Sequence, residues 1–365
     1  MSPRDWFKEL TKLEGAVDLT KNVYNTVVQS PSPSFNFIFG QGWGIPFGYT
    51  ACLYGPPKCG KSFLLNAIIG QLHKDDPEAI AVKFNTEFRE KGQFSNIWGI
   101  DTEGKRYISY EVNNPTLIFD RIEGPIAEMC QQGAPIKLIG IDSVQGIQGR
   151  MTMNTDSIAA IRPGDHAFTV QEGLKRIRPI LDKYGIALIL TAHVRENLQM
   201  GGNKPGMKTT KMAGSWGLKH SAEYWVYIDK VGSEDGRESG LGEKFVDSEM
   251  KDLRDNADKT AHKIYFRMQE NSVGPAGRTG VMTIDYKQGI INTYEEIAML
   301  GLHRNVVVHP PSKAGTGVDA SRYAYGTDVW HGKTNFLMAV RDSRELQEKI
   351  LQELRALDTP AAKKD

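Results

Sequence analysis

The sequence predicts an α/β fold, in which a mostly parallel, twisted β-sheet lies between layers of helices and a small α-rich part follows at the C-terminus. Two observations predict this fold. Strand-like and helix-like segments alternate between residues 50 and 192, which is typical of β-α-β units. Several of the strand-like segments contain almost no polar residue, as expected for strands that are covered on both faces.

The individual elements follow from the periodicity of the apolar residues. Short apolar runs predict parallel strands at 50–54, 80–85, 137–141 and 186–192. Amphipathic segments predict helices at 62–74, 115–132, 168–183 and 334–357. Alternating patterns predict edge or antiparallel strands near 223–229, 262–269 and 280–285. At the N-terminus, residues 1–15 predict a short helix and residues 16–34 a polar linker.

The composition limits the kind of protein that this chain can be. With 45 basic and 44 acidic residues the net charge is +1, so affinity for nucleic acid would have to come from a local basic patch. The three cysteines (Cys52, Cys59 and Cys130) lack the spacing of metal ligands or of a disulfide framework, which indicates a reducing compartment. Since no apolar run is long enough to span a membrane and no signal segment opens the chain, we expect a cytoplasmic protein without a membrane partner.

The strongest motif joins the first predicted strand to the first predicted helix. It fits G-x-x-x-x-G-K-[ST] and consists of Gly55, Pro56, Pro57, Lys58, Cys59, Gly60, Lys61 and Ser62, followed by Phe63. The backbone N–H groups of such a loop bind phosphates, the lysine contacts the β- and γ-phosphates, and the hydroxyl binds Mg²⁺. The motif therefore predicts a nucleotide-binding site. The same N–H dipoles and Lys61 would favour the thiolate of Cys59, which predicts a reactive cysteine.

Two carboxylates follow predicted strands and complete the expected site. Asp142 comes directly after the strand at 137–141, a position from which a carboxylate holds Mg²⁺ through water. Glu87 follows the strand at 80–85 and suits a general base that orients water against the γ-phosphate. The alternative for Glu87 is a carboxylate that stabilises a helix N-terminus.

These motifs resemble those of RecA-type recombinases and, within them, the UvsX-like branch from phages. The resemblance rests on the phosphate loop, on Asn85-Thr86-Glu87-Phe88 and Ile141-Asp142-Ser143, and on the strand that ends in His193. It implies a RecA-like P-loop NTPase core at 36–302. Before the core it implies an N-terminal helix and linker at 1–35 that contact another subunit, and after it a C-terminal region at 303–365 that ends in a helix.

The resemblance also implies a role for each site residue, with ATP and Mg²⁺ as cofactors. Lys61, Glu87 and His193 are the expected catalytic residues, and His193 would couple the γ-phosphate to the DNA-binding loop that follows it. Ser62 and Asp142 are the expected metal ligands. Phe94 matches the position of an aromatic residue that stacks on adenine, while a core aromatic is the alternative.

The sequence departs from the family pattern in one segment. The family usually carries a Lys-x-Lys or Lys-x-Arg pair near residues 263–278, which reaches the ATP of the neighbouring subunit, and no such pair is present here. Arg267 and Arg278 are the candidates to replace it. The stretch from Asn271 to Gly277 looks more like hexameric helicases of the DnaB type.

Two segments are candidates for binding DNA. Residues 195–219 contain five basic residues, one acidic residue and five glycines, a composition that can follow a flexible phosphate backbone. A solvated, lysine-rich loop is the alternative for this segment. Residues 146–167 have balanced charges and are expected to insert apolar side chains between bases. The predicted DNA-binding residues are Arg150, Arg162, Arg195, Lys204, Lys208 and Lys211.

Three functions are compatible with these residues. The first is a DNA-dependent ATPase that forms helical filaments on single-stranded DNA and catalyses pairing and strand exchange with double-stranded DNA. Its further partners would be a recombination mediator or a single-strand binding protein, in the cytoplasm of a bacterial host if the gene belongs to a phage. The second is a ring-forming, DnaB-like helicase motor, and the third is a regulatory RecA-like protein that binds ATP. The basic segment 195–219 favours the first.

Overall fold

The computed structural model of the 365-residue chain describes residues 26–90, 96–153, 164–196, 210–212, 221–231, 261–312 and 317–359, together with residue 9. Its strands are β1 (Val27–Val28), β2 (Ile45–Pro46), β3 (Thr50–Gly55), β4 (Ile80–Asn85), β5 (Tyr107–Glu111), β6 (Ile136–Asp142), β7 (Ala187–Glu196), β8 (Thr210–Met212), β9 (Tyr224–Lys230), β10 (Ala261–Asn271), β11 (Thr279–Asp285), β12 (Gly289–Ile291), β13 (Arg322–Tyr325) and β14 (Asp328–His331).

The α-helices of the described residues are α1 (Pro33–Phe37), α2 (Lys61–Asp75), α3 (Pro115–Arg121), α4 (Ala127–Gln131), α5 (Arg150–Met153), α6 (Asp165–Tyr184), α7 (Thr293–His303), α8 (Lys333–Asp342) and α9 (Arg344–Asp358). A π-helical turn at Ile122–Ile126 joins α3 to α4, where the sequence predicts one continuous helix. None of the helices in the described ranges is both long and apolar enough to cross a membrane.

One large sheet organises the fold. Its strands lie in the order β12-β11-β10-β9-β3-β7-β6-β4-β5, and β8 pairs with the end of β7. The strands from β9 to β5 are parallel, whereas β10, β11 and β12 add antiparallel pairs beyond β9. This confirms the predicted mostly parallel sheet. Two of the parallel strands differ from the prediction: β9 is predicted as an edge or antiparallel strand and also pairs in parallel with β3, and β5, which the sequence does not predict, pairs in parallel with β4.

Helices cover both faces of the sheet. Ala51 and Leu53 of β3 belong to one hydrophobic cluster with α2, α7 and α9, whereas Cys52 belongs to another with α3 and α6. Alternate side chains of a strand point to opposite faces. A strand buried on both faces therefore needs an uninterrupted apolar run, as β3 has.

The segment from residue 27 onward differs from the predicted polar linker. β1 pairs with β2, and the hydroxyl of Ser32 begins α1 by accepting a hydrogen bond from the N–H of Phe35 at 3.1 Å. The Ser32 hydroxyl donates to Oε2 of Glu296 at 2.5 Å, and the N–H of Ser34 donates to the same oxygen at 3.0 Å. Ser32 and Ser34 can be buried because their polar groups are hydrogen-bonded, to an N–H group at the start of α1 and to the buried carboxylate of Glu296. The helix predicted at 1–15 lies outside the described residues, residue 9 excepted.

The C-terminal region shares the hydrophobic cluster of the main sheet through α8 and α9. The helix predicted at 334–357 breaks at Ser343, whose hydroxyl caps α9. At the end of α9, the side chain of Asp358 is 3% exposed and accepts hydrogen bonds from Trp43 Nε1 at 3.0 Å and from both terminal nitrogens of Arg278 at 2.7 Å. These contacts fasten α9 to the chain before β2 and to the turn between β10 and β11.

The carboxyl of Glu296 predicts how stability depends on pH. Burial raises its pKa from 4.5 to about 8 despite the hydrogen bonds from Ser32 and Ser34. The folded protein then binds one more proton than the unfolded chain between these values, so its stability falls as pH rises through this window, by at most about 1.4 kcal/mol per pH unit. Glu296→Gln cannot ionise and should flatten this slope in urea unfolding experiments between pH 5 and pH 8.

The matched control is Glu295→Gln, which removes the neighbouring carboxyl, the smallest of the causes that shift the pKa of Glu296, and should keep most of the wild-type slope. An equal pH slope in Glu296→Gln and in the wild-type protein would contradict the assignment.

Candidate nucleotide-binding site

The phosphate loop connects β3 to α2, and its two glycines are required for different reasons. A Cβ atom on Gly55 would lie 1.9 Å from the carbonyl oxygen of Ile228 on β9, so the loop leaves the sheet where no side chain fits. Gly60 has a φ of +100°, and a Cβ there would lie 2.4 Å from Ile264 Cδ1. Only glycine meets both constraints without strain.

Lys61 is buried at the start of α2, and its ammonium group folds back over the phosphate loop. Its Nζ donates to the carbonyl oxygens of Gly55 at 3.0 Å and Pro56 at 2.7 Å. Because both acceptors belong to the loop itself, the oxygens of a bound phosphate can take their place. This geometry suits the predicted contact between Lys61 and the phosphates of a nucleotide.

Ser62 and Asp142 meet beside the loop, as the sequence predicts for metal ligands. The Ser62 hydroxyl donates to Oδ1 of Asp142 at 3.0 Å, and the Thr191 hydroxyl donates to the same oxygen at 2.6 Å. A hydroxyl and a carboxylate are hard oxygen ligands that fit Mg²⁺, which keeps several waters and phosphate oxygens around it. The described residues include no group of three or more His, Cys, Asp or Glu that could hold a metal ion. Ser62 and Asp142 thus supply two oxygen atoms that suit Mg²⁺.

Glu87 lies at the end of β4, within hydrogen-bond distance of two neighbouring elements. Its Oε1 accepts hydrogen bonds from the Ser143 hydroxyl at 2.7 Å and from His193 Nε2 at 3.0 Å, and its Oε2 lies 3.1 Å from Arg89 Nη1. Burial raises the pKa of Glu87. The hydrogen bonds from Ser143 and His193, together with the charges of His193 and Arg89, lower the pKa by more than burial raises it, so it lies below its ordinary value. Glu87 is thus an ionised carboxylate at neutral pH.

His193 also binds the segment after β6 through its backbone. Its N–H donates to Oε1 of Gln145 at 3.0 Å, and Nε2 of Gln145 donates to the carbonyl oxygen of His193 at 3.4 Å. An ionised carboxylate such as Glu87 can only accept a hydrogen bond, so Nε2 of His193 carries the proton that is shared with it. The other ring nitrogen of His193, Nδ1, is buried and has no hydrogen-bond partner among the described residues. The ends of β6 and β7 are therefore held together immediately before both predicted DNA-binding segments.

A cavity of about 240 Å³ opens beside Ser62 and Glu87, and sequence reasoning missed much of its lining. The missed residues are Asn66, Lys83, Asn85, Arg89, Glu90 and Trp98. Lys83 is a buried lysine in the middle of β4, a strand whose burial on both faces does not by itself suggest a charge.

Aromatic rings lie close to the phosphate loop. Phe63 packs edge-on against Trp98, and Tyr286, which is 49% exposed, lies 6.3 Å from Phe63 between ring centroids. An exposed ring at this place can stack on a nucleotide base. Phe94, which the sequence proposes for that role, lies outside the described residues.

The prediction that the surroundings of Cys59 favour its thiolate is wrong, because the pKa of the thiol is raised. The side chain is buried, and its desolvation raises the pKa of the thiol although the charge of Lys61 lowers it. The positive groups around the loop are visible in the sequence, whereas the apolar atoms that exclude water from the sulfur are visible only in the folded structure.

Of the two arginines proposed to act across a subunit boundary, Arg278 is already engaged. Its guanidinium pairs with the buried side chain of Asp358, donates to the carbonyl oxygen of Phe37 at 3.0 Å and covers the Phe37 ring. Arg278 therefore has a structural role in this chain, and its role across a subunit boundary stays a prediction. Arg267 is exposed on β10.

The predicted DNA-binding residues are described only in part. Arg150 is exposed at the start of α5. Arg195 and Lys211 pair through their backbones in the antiparallel ladder of β7 and β8, so the base of the basic segment is a β-ribbon. Arg162, Lys204 and Lys208 lie outside the described residues.

The chain is similar to proteins named RecA over most of its length. It is 22% identical to Protein RecA of Deinococcus radiodurans over 325 residues, which cover 89% of this chain and 78% of that protein. It is 22% identical to Protein RecA of Oleidesulfovibrio alaskensis over 330 residues, or 90% and 82% of the two chains. For Protein RecA of Nitratidesulfovibrio vulgaris the identity is 23% over 326 residues, or 89% and 79%.

No protein-family model matches the chain. The similarity to RecA proteins and the mostly parallel sheet between helices together give a RecA-like α/β fold, as the resemblance in the sequence implies.

The burial of Cys59 predicts slow alkylation of this residue. In the native protein iodoacetamide should modify Cys130 before Cys59, because Cys130 is partly exposed and Cys59 is buried, while burial raises the pKa of both thiols. Peptide mapping by mass spectrometry measures both rates, and unfolding in urea should bring them close together. Modification of Cys59 as fast as Cys130 in the native protein would contradict this prediction.

Proposed function

We propose that this protein is an ATP-dependent DNA recombinase of the RecA type, which forms helical filaments on single-stranded DNA and catalyses homologous pairing and strand exchange. The observation that carries the proposal is the hydrogen bond between Glu87 and His193. It connects the carboxylate best placed to act on ATP with the strand that leads into the basic segment 195–219. The similarity to RecA proteins over 89% of the chain supports the same function.

The proposed chemistry assigns one task to each group. Lys61 binds the β- and γ-phosphates, and Ser62 and Asp142 hold Mg²⁺, which supplies positive charge against the phosphates when bound. Glu87 orients a water molecule toward the γ-phosphate and accepts its proton, a task for which its low pKa keeps it ionised. The exposed ring of Tyr286, beside Phe63, stacks on the base.

The proposed coupling to DNA follows from the partners of Glu87. In the structure described here Oε1 is shared between Ser143 and His193, which restrains the orientation of the carboxylate. A shift of β7 and β8 on DNA binding would move His193 and change this restraint. The reciprocal bonds between Gln145 and the backbone of His193 would carry the same shift to residues 146–167.

Within the RecA type, we propose the UvsX-like branch from phages. Support comes from His193, three residues before the end of β7, where the resemblance implies His in UvsX-like proteins and Gln in bacterial RecA. A recombination mediator or a single-strand binding protein would complete the proposed partners.

Replacement of Glu87 tests the proposed catalysis. Glu87→Gln keeps the size and the hydrogen-bonding capacity of the side chain but removes the base, so ATP should still bind while hydrolysis slows about 100-fold or more. Titration with a fluorescent ATP analogue and a phosphate-release assay measure the two effects separately. Turnover at the wild-type rate would return Glu87 to the alternative of a structural carboxylate.

Electron microscopy with ATP and single-stranded DNA tests the proposed assembly. Open helical filaments are expected. Closed rings would favour the helicase motor, and the absence of any assembly on DNA would favour the regulatory protein.

DNA binding by the basic segment is tested in a variant with Lys204, Lys208 and Lys211 changed to alanine. The measurement is the binding of a fluorescent oligonucleotide at a series of salt concentrations, together with ATPase assays with and without DNA. Each lysine on the phosphate backbone releases counterions, so the slope of log K against log salt should flatten by about 0.7 per lysine. ATP hydrolysis without DNA should survive and its stimulation by DNA should be lost. An unchanged slope with intact stimulation would show that these lysines do not face DNA.

A further inference from the structure

Lys83 is a buried cation inside the candidate site, and the proposed function assigns no role to this lysine. Its side chain is 3% exposed, and its Nζ donates to Oδ1 of Asn66 at 2.9 Å. Two carboxylates flank the ammonium group, with Oδ2 of Asp142 at 3.4 Å and Oε1 of Glu90 at 3.5 Å. A lysine at this depth is costly unless it is paired, so its partners define its role.

The two oxygens of Asp142 face different partners. Oδ1 receives the hydroxyls of Ser62 and Thr191 on the side of the phosphate loop, whereas Oδ2 faces Lys83 on the side of β4. The carboxylate is thereby fixed in orientation. Only Oδ1 is left on the side where a metal ion bound with nucleotide would lie.

Glu90 completes the charge balance beneath the site. The Tyr107 hydroxyl donates to its Oε1 at 2.6 Å and the Ser109 hydroxyl donates to its Oε2, so β5 holds this carboxylate in place. Lys83 thus lies between two fixed anions, and the group of Lys83, Glu90 and Asp142 carries one net negative charge when both carboxyls are ionised. Without the lysine the same volume would hold two negative charges next to the metal position.

We propose that Lys83 is a positioning residue that sets how strongly the site binds Mg²⁺. Its charge opposes the attraction of Asp142 and Glu90 for a divalent cation, and its contact with Oδ2 limits Asp142 to one oxygen on the metal side. The site therefore holds Mg²⁺ only together with nucleotide phosphates. This inference rests on the proposed nucleotide site and adds the residue that tunes it.

The test measures how nucleotide binding depends on Mg²⁺ in Lys83→Met, which keeps the length of the side chain and removes its charge. At a fixed concentration of a fluorescent ATP analogue, the Mg²⁺ concentration at half-maximal binding should fall at least about tenfold, because an adjacent opposing charge is gone. The affinity for nucleotide at saturating Mg²⁺ should change much less. Lys74→Met, an exposed lysine of α2, is the matched control and should leave the midpoint unchanged.

Two companion variants separate charge from packing. Glu90→Gln leaves Lys83 with Asp142 alone and should raise the Mg²⁺ midpoint, while Lys83→Met combined with Glu90→Gln restores the local charge and should return the midpoint toward the wild-type value. If Lys83→Met does not fold, Glu90→Gln alone decides the question. An unchanged midpoint in folded Lys83→Met, or in Glu90→Gln, would overturn the inference. If the wild-type protein shows no Mg²⁺-dependent nucleotide binding, the proposed function fails instead.

Discussion

The candidate site depends on the pairing of one buried carboxylate. Asp142 ends β6 in the middle of the sheet, and its oxygens contact Ser62 from α2, Thr191 from β7 and Lys83 from β4. A buried negative charge is tolerated only when its neighbours donate to it. Each element around β6 must therefore present a polar group at the same level of the sheet. That requirement aligns the phosphate loop with the ends of the neighbouring strands and so gives the site its shape.

The parts of this arrangement that sequence predicted are those with a local pattern. The apolar runs of β3, β4, β6 and β7 repeat over consecutive residues, and the phosphate loop has a fixed spacing, so both are visible without any knowledge of contacts. The strand β4 was predicted with the same ends that the structure gives, Ile80 and Asn85. The placement of Glu87 and Asp142 close together follows, because the carboxyl ends of parallel strands meet at one edge of the sheet.

The parts that sequence missed depend on partners far along the chain. Lys83 is unremarkable in a strand until Glu90 and Asp142 are seen beside it, and β5 lacks a continuous apolar run because it lies at the edge of the sheet. Ser32 reads as part of a polar linker until Glu296, 264 residues later, is found against it. Burial likewise decides the direction of the pKa shift of Cys59, because desolvation raises this pKa by more than the charge of Lys61 lowers it. The division at residues 35 and 302 stays a prediction.

The C-terminal contact also bears on how neighbouring subunits would share ATP. Arg278 is the only cation that the structure describes between residues 268 and 278, and its guanidinium is held by Asp358 at two positions. Releasing it would leave the side chain of Asp358 buried with a weaker set of partners, which is expensive. Release of Arg278 for a role across a subunit boundary would therefore carry this cost. Of the two arginines that the sequence offers, Arg267 is exposed on β10 and Arg278 is partly buried, so only Arg278 would have to give up its contact with Asp358 to reach a neighbouring subunit.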